Sequence, residues 1–439
     1  MRSAMELLIL GGGLSALSTA FFLQERPEIS KITILEKEDR LGGLCRSFNA
    51  NGIIYDVGPH IFFSKNKKIL SFMTNLLGEN KEKKRRSNRI LYEKRFVQYP
   101  FENDLSKLPK EDIQYCVNAF LHNPYEGYPA QNILQFFLKT FGEGITNLYL
   151  RPYNEKIWKF DPSFMDTQMV ERIPKPPKED ILRSAKGETI DGYLHQLYFT
   201  YPKCGGTEAF INSLAAKLED KVRIVTDAAV SSVTKSPDDF TVETSKGSYS
   251  ANRLISTIPA DLFASMYRPS APEQVNLAAN SLRHNSIIIT IANVSIDKAG
   301  DNFAFMIADK SVIFHRLSKV DFLGDAYHLP NSATYMIEIT YRKNDLIDQS
   351  SDEDIRGQVI EGLKRIEFIR DSSDVNFIEL KRFEYAYVIY DLEHRRNMDM
   401  IIKHFNHEGV DLLGRFGSFE YLNMDAVIEQ ALRFSEQYA

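Results

Sequence analysis

The sequence predicts an α/β chain with a discontinuous Rossmann-like nucleotide-binding domain, a mostly helical domain and an antiparallel β-sheet domain. Three observations carry that prediction. Residues 7–16 read LLILGGGLSA, an apolar run that enters Gly11-Gly12-Gly13 and leaves on an apolar helical pattern over 17–23. A second apolar run, ITIL at 32–35, ends on the acid Glu36, about twenty residues after the glycine turn. A late strand at 410–413, a glycine turn and a helix at 425–437 repeat the opening arrangement. The domain is therefore expected to draw on the start, the middle and the end of the chain.

Strand, tight glycine turn, helix and acid-tipped strand make a dinucleotide-binding unit. Gly11 permits the sharp turn, and Gly13 lets the backbone approach a pyrophosphate. Ala16 stands where a third glycine is common, and its methyl still allows close helix–strand packing. The pyrophosphate is expected at the helix N-terminus, where free N–H groups and the helix dipole favour negative charge. The Glu36 carboxylate is expected on the ribose hydroxyls.

The remaining elements follow in order. Residues 87–100 read as a hairpin, and 104–200 are mostly helical in pattern, broken at Pro124, Pro129 and Pro162 and extended around Pro174, Pro176 and Pro177. A helix at 207–217 follows Gly205-Gly206. Strands are expected at 222–226, 229–234, 239–244 and 253–257, and a separate antiparallel sheet from 286–294, 303–308, 312–317 and 333–341. A helix at 353–367 precedes strands near 376–384. These elements group into a nucleotide-binding domain over 1–75, 202–265 and 405–439, a helical substrate domain over 101–201, and a sheet domain over 76–100 and 266–404.

Composition narrows the partners. The net charge is −5, with no global basic footprint for nucleic acid. The densest basic run, KEKKRRSNR at 81–89, has no interleaved aromatics and reads as solvated surface. Three scattered cysteines, Cys45, Cys116 and Cys204, give neither metal spacing nor a disulfide framework, and suit a cytoplasmic protein. No apolar stretch reaches the ~18 residues needed to span a bilayer. A homo-oligomer stays open.

The second glycine cluster, Arg40-Leu41-Gly42-Gly43-Leu44-Cys45-Arg46-Ser47, resembles the paired-glycine extension of a large group of FAD proteins. The group includes amine oxidases, carotenoid desaturases, protoporphyrinogen oxidases and UDP-galactopyranose mutases. The resemblance implies that Gly11, Gly13, Leu14, Ser15, Glu36, Lys37, Gly42, Gly43 and Leu44 hold FAD. It adds Val230 as the adenine-contacting strand and Thr257, in Ser256-Thr257-Ile258-Pro259, as the return strand.

Further segments resemble the eukaryotic-type UDP-galactopyranose mutases. Gly58-Pro59-His60 is similar to their Gly-Gly-His or Gly-Ala-His, which passes beside the flavin ring. Tyr99-Pro100-Phe101-Glu102-Asn103 resembles Tyr-Pro-Phe-Gln-Asn, and Arg151-Pro152-Tyr153-Asn154-Glu155-Lys156-Ile157-Trp158 resembles Arg-Pro-Tyr-Asn-Phe-Lys-Val-Trp. Glu171-Arg172 and Phe314-His315-Arg316 match segments that supply two arginines to a substrate diphosphate. Guanidinium forks suit phosphate oxygens. Gly414-Arg415, followed by Tyr421, Asn423 and Met424, follows the mutases; oxidases and desaturases carry Gly-Asp or Gly-Glu there. Tyr387 matches a second phosphate-binding tyrosine.

The resemblance thus implies His60, Arg172 and Arg316 as catalytic groups. Tyr99, Phe101, Asn154, Trp158, Tyr387 and Tyr421 join the two arginines at a nucleotide sugar, expected to be a UDP-hexose. Gly414, Arg415, Asn423 and Met424 join the cofactor set. The implied reaction is a redox-neutral interconversion of pyranose and furanose forms, with N5 of reduced FAD as nucleophile at the anomeric carbon and NAD(P)H a candidate reductant. Pro59, Glu102 and Leu323 (where the family has a tyrosine) depart from the pattern, so base and sugar stay open. An FAD-dependent oxidase or desaturase, and a flavin-binding protein without mutase activity, remain the alternatives.

Overall fold

The structure is a computed structural model that describes residues 5–438, apart from 171, 172, 174, 189 and 191–196. Its first sheet has five parallel strands in the order Val410–Leu412, Arg253–Ser256, Met5–Leu10, Ile29–Leu35, Val222–Val225. The run at 7–10 is apolar without alternation because both faces of the sheet are covered. Leu7 and Ile9 pack with the helices Leu14–Leu23 and Met424–Ser435. Leu8 and Leu10 face the opposite core, with Phe263, Met398, Ile401 and Phe405.

Met398, Ile401 and Phe405 belong to a helix the sequence reading does not assign, His394–His407, and Phe263 to the short helix Ala260–Met266. In His394–His407 the buried stripe is His394, Met398, Ile401 and Phe405, an i, i+4, i+7, i+11 pattern masked by the charged residues around it. A four-stranded sheet that includes Val230–Lys235 and Phe240–Thr244 adjoins this core.

The second large sheet has seven strands in the order Val375–Ile389, Arg283–Val294, Ala333–Tyr341, Arg316–Lys319, Ala304–Ile307, Asn88–Tyr92, Arg95–Gln98. It is mixed, not antiparallel throughout: Ala304–Ile307 and Asn88–Tyr92 run parallel. The expected strand at 312–317 is displaced to Arg316–Lys319. Val312 and Phe314 look like an alternating strand, but they fill the core beneath the helix Asp352–Arg365 from a turn. Along Arg283–Val294 the side chains divide cleanly. Ile287, Ile289 and Ile291 face the helical layer, whereas Ile288, Ala292 and Val294 face the core under Asp352–Arg365.

The helical layer comprises Lys110–Leu121, Ile133–Ile145, a π turn at Thr146–Leu150, Arg151–Trp158 and Lys178–Ala185. Strand Tyr198–Tyr201 interrupts the expected helical stretch and pairs with Glu82–Arg85, so part of the basic run is a strand.

Candidate active site

A cavity of about 720 Å³ opens beyond the carboxyl ends of the parallel strands and extends to the seven-stranded sheet. Ligands of open α/β sheets lodge at this edge.

At one end the two glycine turns meet. Gly42 N donates to Gly12 O at 2.9 Å, and Gly13 bridges Gly42. Gly43 has a φ of +56°, and a Cβ there would lie 3.3 Å from Gly13 Cα. Glu36 is buried; its Oε2 accepts from Gly12 N at 2.5 Å and its Oε1 from Glu38 N at 2.9 Å. The carboxylate therefore closes the glycine turn while bordering the cavity. Helix Leu14–Leu23 begins without a side-chain cap, so its first N–H groups are available to an anion. Ser15 Oγ is buried without a partner. Helix Met424–Ser435 likewise starts at Asn423 with no side-chain cap. Leu14, Lys37, Leu44, Val230, Thr257, Asn423 and Met424 all line this half. Gly414 does not line it; at φ +82°, a Cβ on it would meet Ser15 Oγ at 2.6 Å, so it lets the last turn close on the first helix. The orphaned hydroxyl, the uncapped helices and the glycine cradle fit a dinucleotide pyrophosphate.

The other end is aromatic and cationic. Asp56, buried, accepts from Ser47 Oγ, Tyr201 OH and Thr207 N, which fixes the loop leading to His60. His60 lines the cavity with Nδ1 buried and unpartnered. Burial, then Arg415 and Arg316, depress its pKa to about 4, so it is neutral at neutral pH. Tyr387 and Tyr421 stack at 5.8 Å with an interplanar angle of 16°. Arg415 lies 4.3 Å over the Tyr421 ring and donates through Nη1 to Leu422 O and through Nη2 to Ala386 O. Trp158 meets both tyrosines edge-on, at 5.7 and 5.9 Å.

Several expected residues stand elsewhere. Arg316 lines the cavity but is bound to Glu338, a fully buried carboxylate absent from the sequence reading, which also accepts from Tyr387 OH at 3.3 Å. Trp158 and Asn154 do not line the cavity. Trp158 Nε1 donates to Asn154 Oδ1 at 2.9 Å and Asn154 Nδ2 to Leu150 O at 2.7 Å, so the pair backs the tyrosines. Phe101 belongs to the core, where it stacks on Tyr149 at 4.9 Å. Tyr99 is 41% exposed and off the cavity lining. Arg172, with Glu171, lies outside the described residues.

Arg86 was missed. The run read as solvated surface delivers it into the cavity, 4.7 Å over Phe63, with Nε and Nη2 buried and unpartnered. Its arrival depends on the strand pairing of Glu82–Arg85, for which the sequence carries no local signal.

Glycine cradle, parallel sheet and aromatic far chamber together define a flavoprotein of the amine oxidase fold. Residues 14–394 match the family of flavin containing amine oxidoreductases, and the chain belongs to that family. Within it, the fold is similar to that of a reduced UDP-galactopyranose mutase, with a TM-score of 0.90 at 22% identity over 99% of this chain and 93% of that one. A UDP-galactopyranose mutase of Mycoplasma genitalium is 24% identical over 235 residues, 50% of this chain and 53% of the relative. Protoporphyrinogen oxidase 1 of Spinacia oleracea is 22% identical over 325 residues, 63% of this chain and 54% of the relative. The match thus spans about half the length of each of these two relatives. The family is flavin containing, which implies FAD. Among the described residues, no helix is long and apolar enough to cross a membrane, and no group of three or more His, Cys, Asp or Glu could hold a metal ion.

Proposed function

We propose that this chain is a flavin-dependent mutase that interconverts the pyranose and furanose forms of a nucleotide sugar, a UDP-hexose in the first instance. The observation that carries this reading is the far chamber: Arg415 under the stacked Tyr387 and Tyr421, with Arg316 and Arg86 on the same cavity wall. Guanidinium and phenol donors suit a diphosphate leaving group. Arg415 and Arg86 would repel a protonated amine, which disfavours an amine oxidase.

In this reading Gly11, Gly13, Gly42, Gly43 and the start of helix Leu14–Leu23 hold the cofactor pyrophosphate, and Glu36 takes ribose hydroxyls after its turn-closing bonds. Bound in its reduced form, the flavin would supply a nucleophilic nitrogen, N5, for the anomeric carbon. Arg316 and Arg172 would hold the diphosphate as it departs, and the Tyr387 and Tyr421 phenols would donate to it, keeping it near the sugar for reattachment. His60, neutral, serves as a hydrogen-bonding group rather than a cation.

The test is anaerobic incubation of dithionite-reduced protein with UDP-galactofuranose and with other nucleotide sugars, followed by chromatography for ring isomers. Isomer formation is expected. Turnover that requires oxygen, or that occurs only on an amine or a porphyrinogen, would overturn the reading in favour of an oxidase. Arg172→Ala and Arg316→Ala are expected to abolish most activity with flavin content retained; full activity in either removes that residue from the mechanism. NAD(P)H as reductant belongs to the same reading, and bleaching of the flavin band under nitrogen checks it.

A further inference from the structure

We propose that Asn285 is a positioning residue for the aromatic chamber, bolting the helix that carries Trp158 to the strand that carries Tyr387.

Asn285 stands on the face of Arg283–Val294 otherwise occupied by Ile287, Ile289 and Ile291, and it is fully buried. Its Nδ2 donates to Ile157 O at 3.0 Å and to Trp158 O at 2.6 Å. Both acceptors are main-chain carbonyls, so the amide can be oriented only with nitrogen toward them. They are end-of-helix carbonyls of Arg151–Trp158, which have no partner within the helix. The next carbonyl back, Lys156 O, accepts from Thr340 Oγ1 at 3.2 Å. The helix therefore ends against the sheet, its carbonyls held by two buried side chains from adjacent strands.

The main chain of Asn285 pairs with Tyr387 across the sheet. Immediately beyond, the register jumps: Ile287 pairs with Phe383, so Val375–Ile389 carries extra residues in a bulge. A bulge re-aims the side chains beside it. The Ala386 carbonyl in this bulge accepts from Arg415. Asn285 thus sits at the point where the strand turns Tyr387 toward the cavity, and its side chain fixes the backbone of Trp158, whose ring meets Tyr387 and Tyr421 edge-on. Asn285 does not line the cavity. It acts through the aromatic trio, and it costs a buried, unpartnered Oδ1 to do so. An isoleucine, as at positions 287, 289 and 291, would avoid that cost but leave the two carbonyls unpaired.

Trp158 is the only tryptophan, so its emission reports this junction directly. The ligand arm of the test rests on the nucleotide-sugar reading; the emission arm does not. In the flavin-loaded protein, Asn285→Ala is expected to shift Trp158 emission to longer wavelength and raise its quenching by acrylamide. It is also expected to weaken UDP binding about tenfold, with flavin content unchanged. Asn285→Ser, which keeps a donor, is expected to recover part of each change. Unaltered emission and quenching in Asn285→Ala would overturn the proposal, as would UDP affinity equal to that of the wild type. If Asn285→Ala does not fold, Asn285→Ser is judged by the same criteria. If UDP does not bind the wild type, the nucleotide-sugar reading fails and the emission arm alone decides.

Discussion

Arg316 and Glu338 stand opposite each other on neighbouring strands, the guanidinium fork laid on the carboxylate with Nε donating to Oε1 and Nη2 to Oε2. The pair is locally neutral. Burial opposes the Arg316 charge, but Glu338 more than compensates and drives its pKa further up. The chamber wall thus presents a guanidinium fixed in direction, with much of its charge already balanced.

Removing one partner of such a pair strands the other. Glu338→Ala is expected to cost about 3–5 kcal/mol of stability in urea unfolding, and the Arg316→Met/Glu338→Met double variant to recover most of that loss. Independent, additive effects of the two sites would refute the coupling.

The contact between glycine turns makes a sharper test of the cofactor cradle. Gly43→Ala combines a positive φ with an approach of 3.3 Å to Gly13 Cα, and Gly414→Ala drives a methyl onto Ser15. Each variant is expected to purify folded but with flavin occupancy reduced several-fold, read from the ratio of visible to ultraviolet absorbance. Full occupancy in both would mean that the cradle does not carry the pyrophosphate.

Glu102 gives a pH signature. Burial pushes its carboxyl up to about 7. The folded protein keeps a proton there that an unfolded chain releases near its ordinary 4.5. This contribution to stability is complete below about pH 4.5 and is lost as pH rises through 7. Glu102→Gln lacks the titration, so its melting temperature should gain on the wild type across that window, by the equivalent of ~2 kcal/mol. A constant difference from pH 4 to 8 would show that Glu102 ionises normally.

Arg86 carries a charge whose Nε and Nη2 have no partner. Burial, opposed by Tyr99 and reinforced by Arg316, lowers its pKa. Arg86→Met is expected to raise the melting temperature by a few degrees while weakening the protection that added pyrophosphate gives. A lower melting temperature with pyrophosphate protection intact would assign Arg86 to structure alone.

The sequence made the cofactor half legible because its signals are local. Gly11, Gly42, Gly43 and Gly414 take a positive φ and Gly12 lies too close to Glu36 and Leu41 for a side chain, and continuous apolar runs mark strands covered on both faces. The far chamber was legible only in part. Tyr387 and Tyr421 do converge there, joined by Arg415, which was expected in the cofactor set, but the groups that hold the chamber together, Glu338 and Asn285, lie buried inside strands. Their roles come from register across the sheet, which no short segment encodes. Phe101 shows the converse: its motif is present, yet the ring is spent on packing against Tyr149.

The order of strands in the parallel sheet also bears on how the molecule is made. Met5–Leu10 pairs on one side with Ile29–Leu35 soon after synthesis, but its other neighbour, Arg253–Ser256, comes far later, and the edge strand Val410–Leu412 later still. At ribosomal speed the opening strand waits on the order of tens of seconds for its second partner, with apolar surface uncovered meanwhile. The helix that begins at Met424 follows the last of these strands. A nascent chain that stalls before residue 424 therefore lacks one of the two uncapped helix starts that border the cavity.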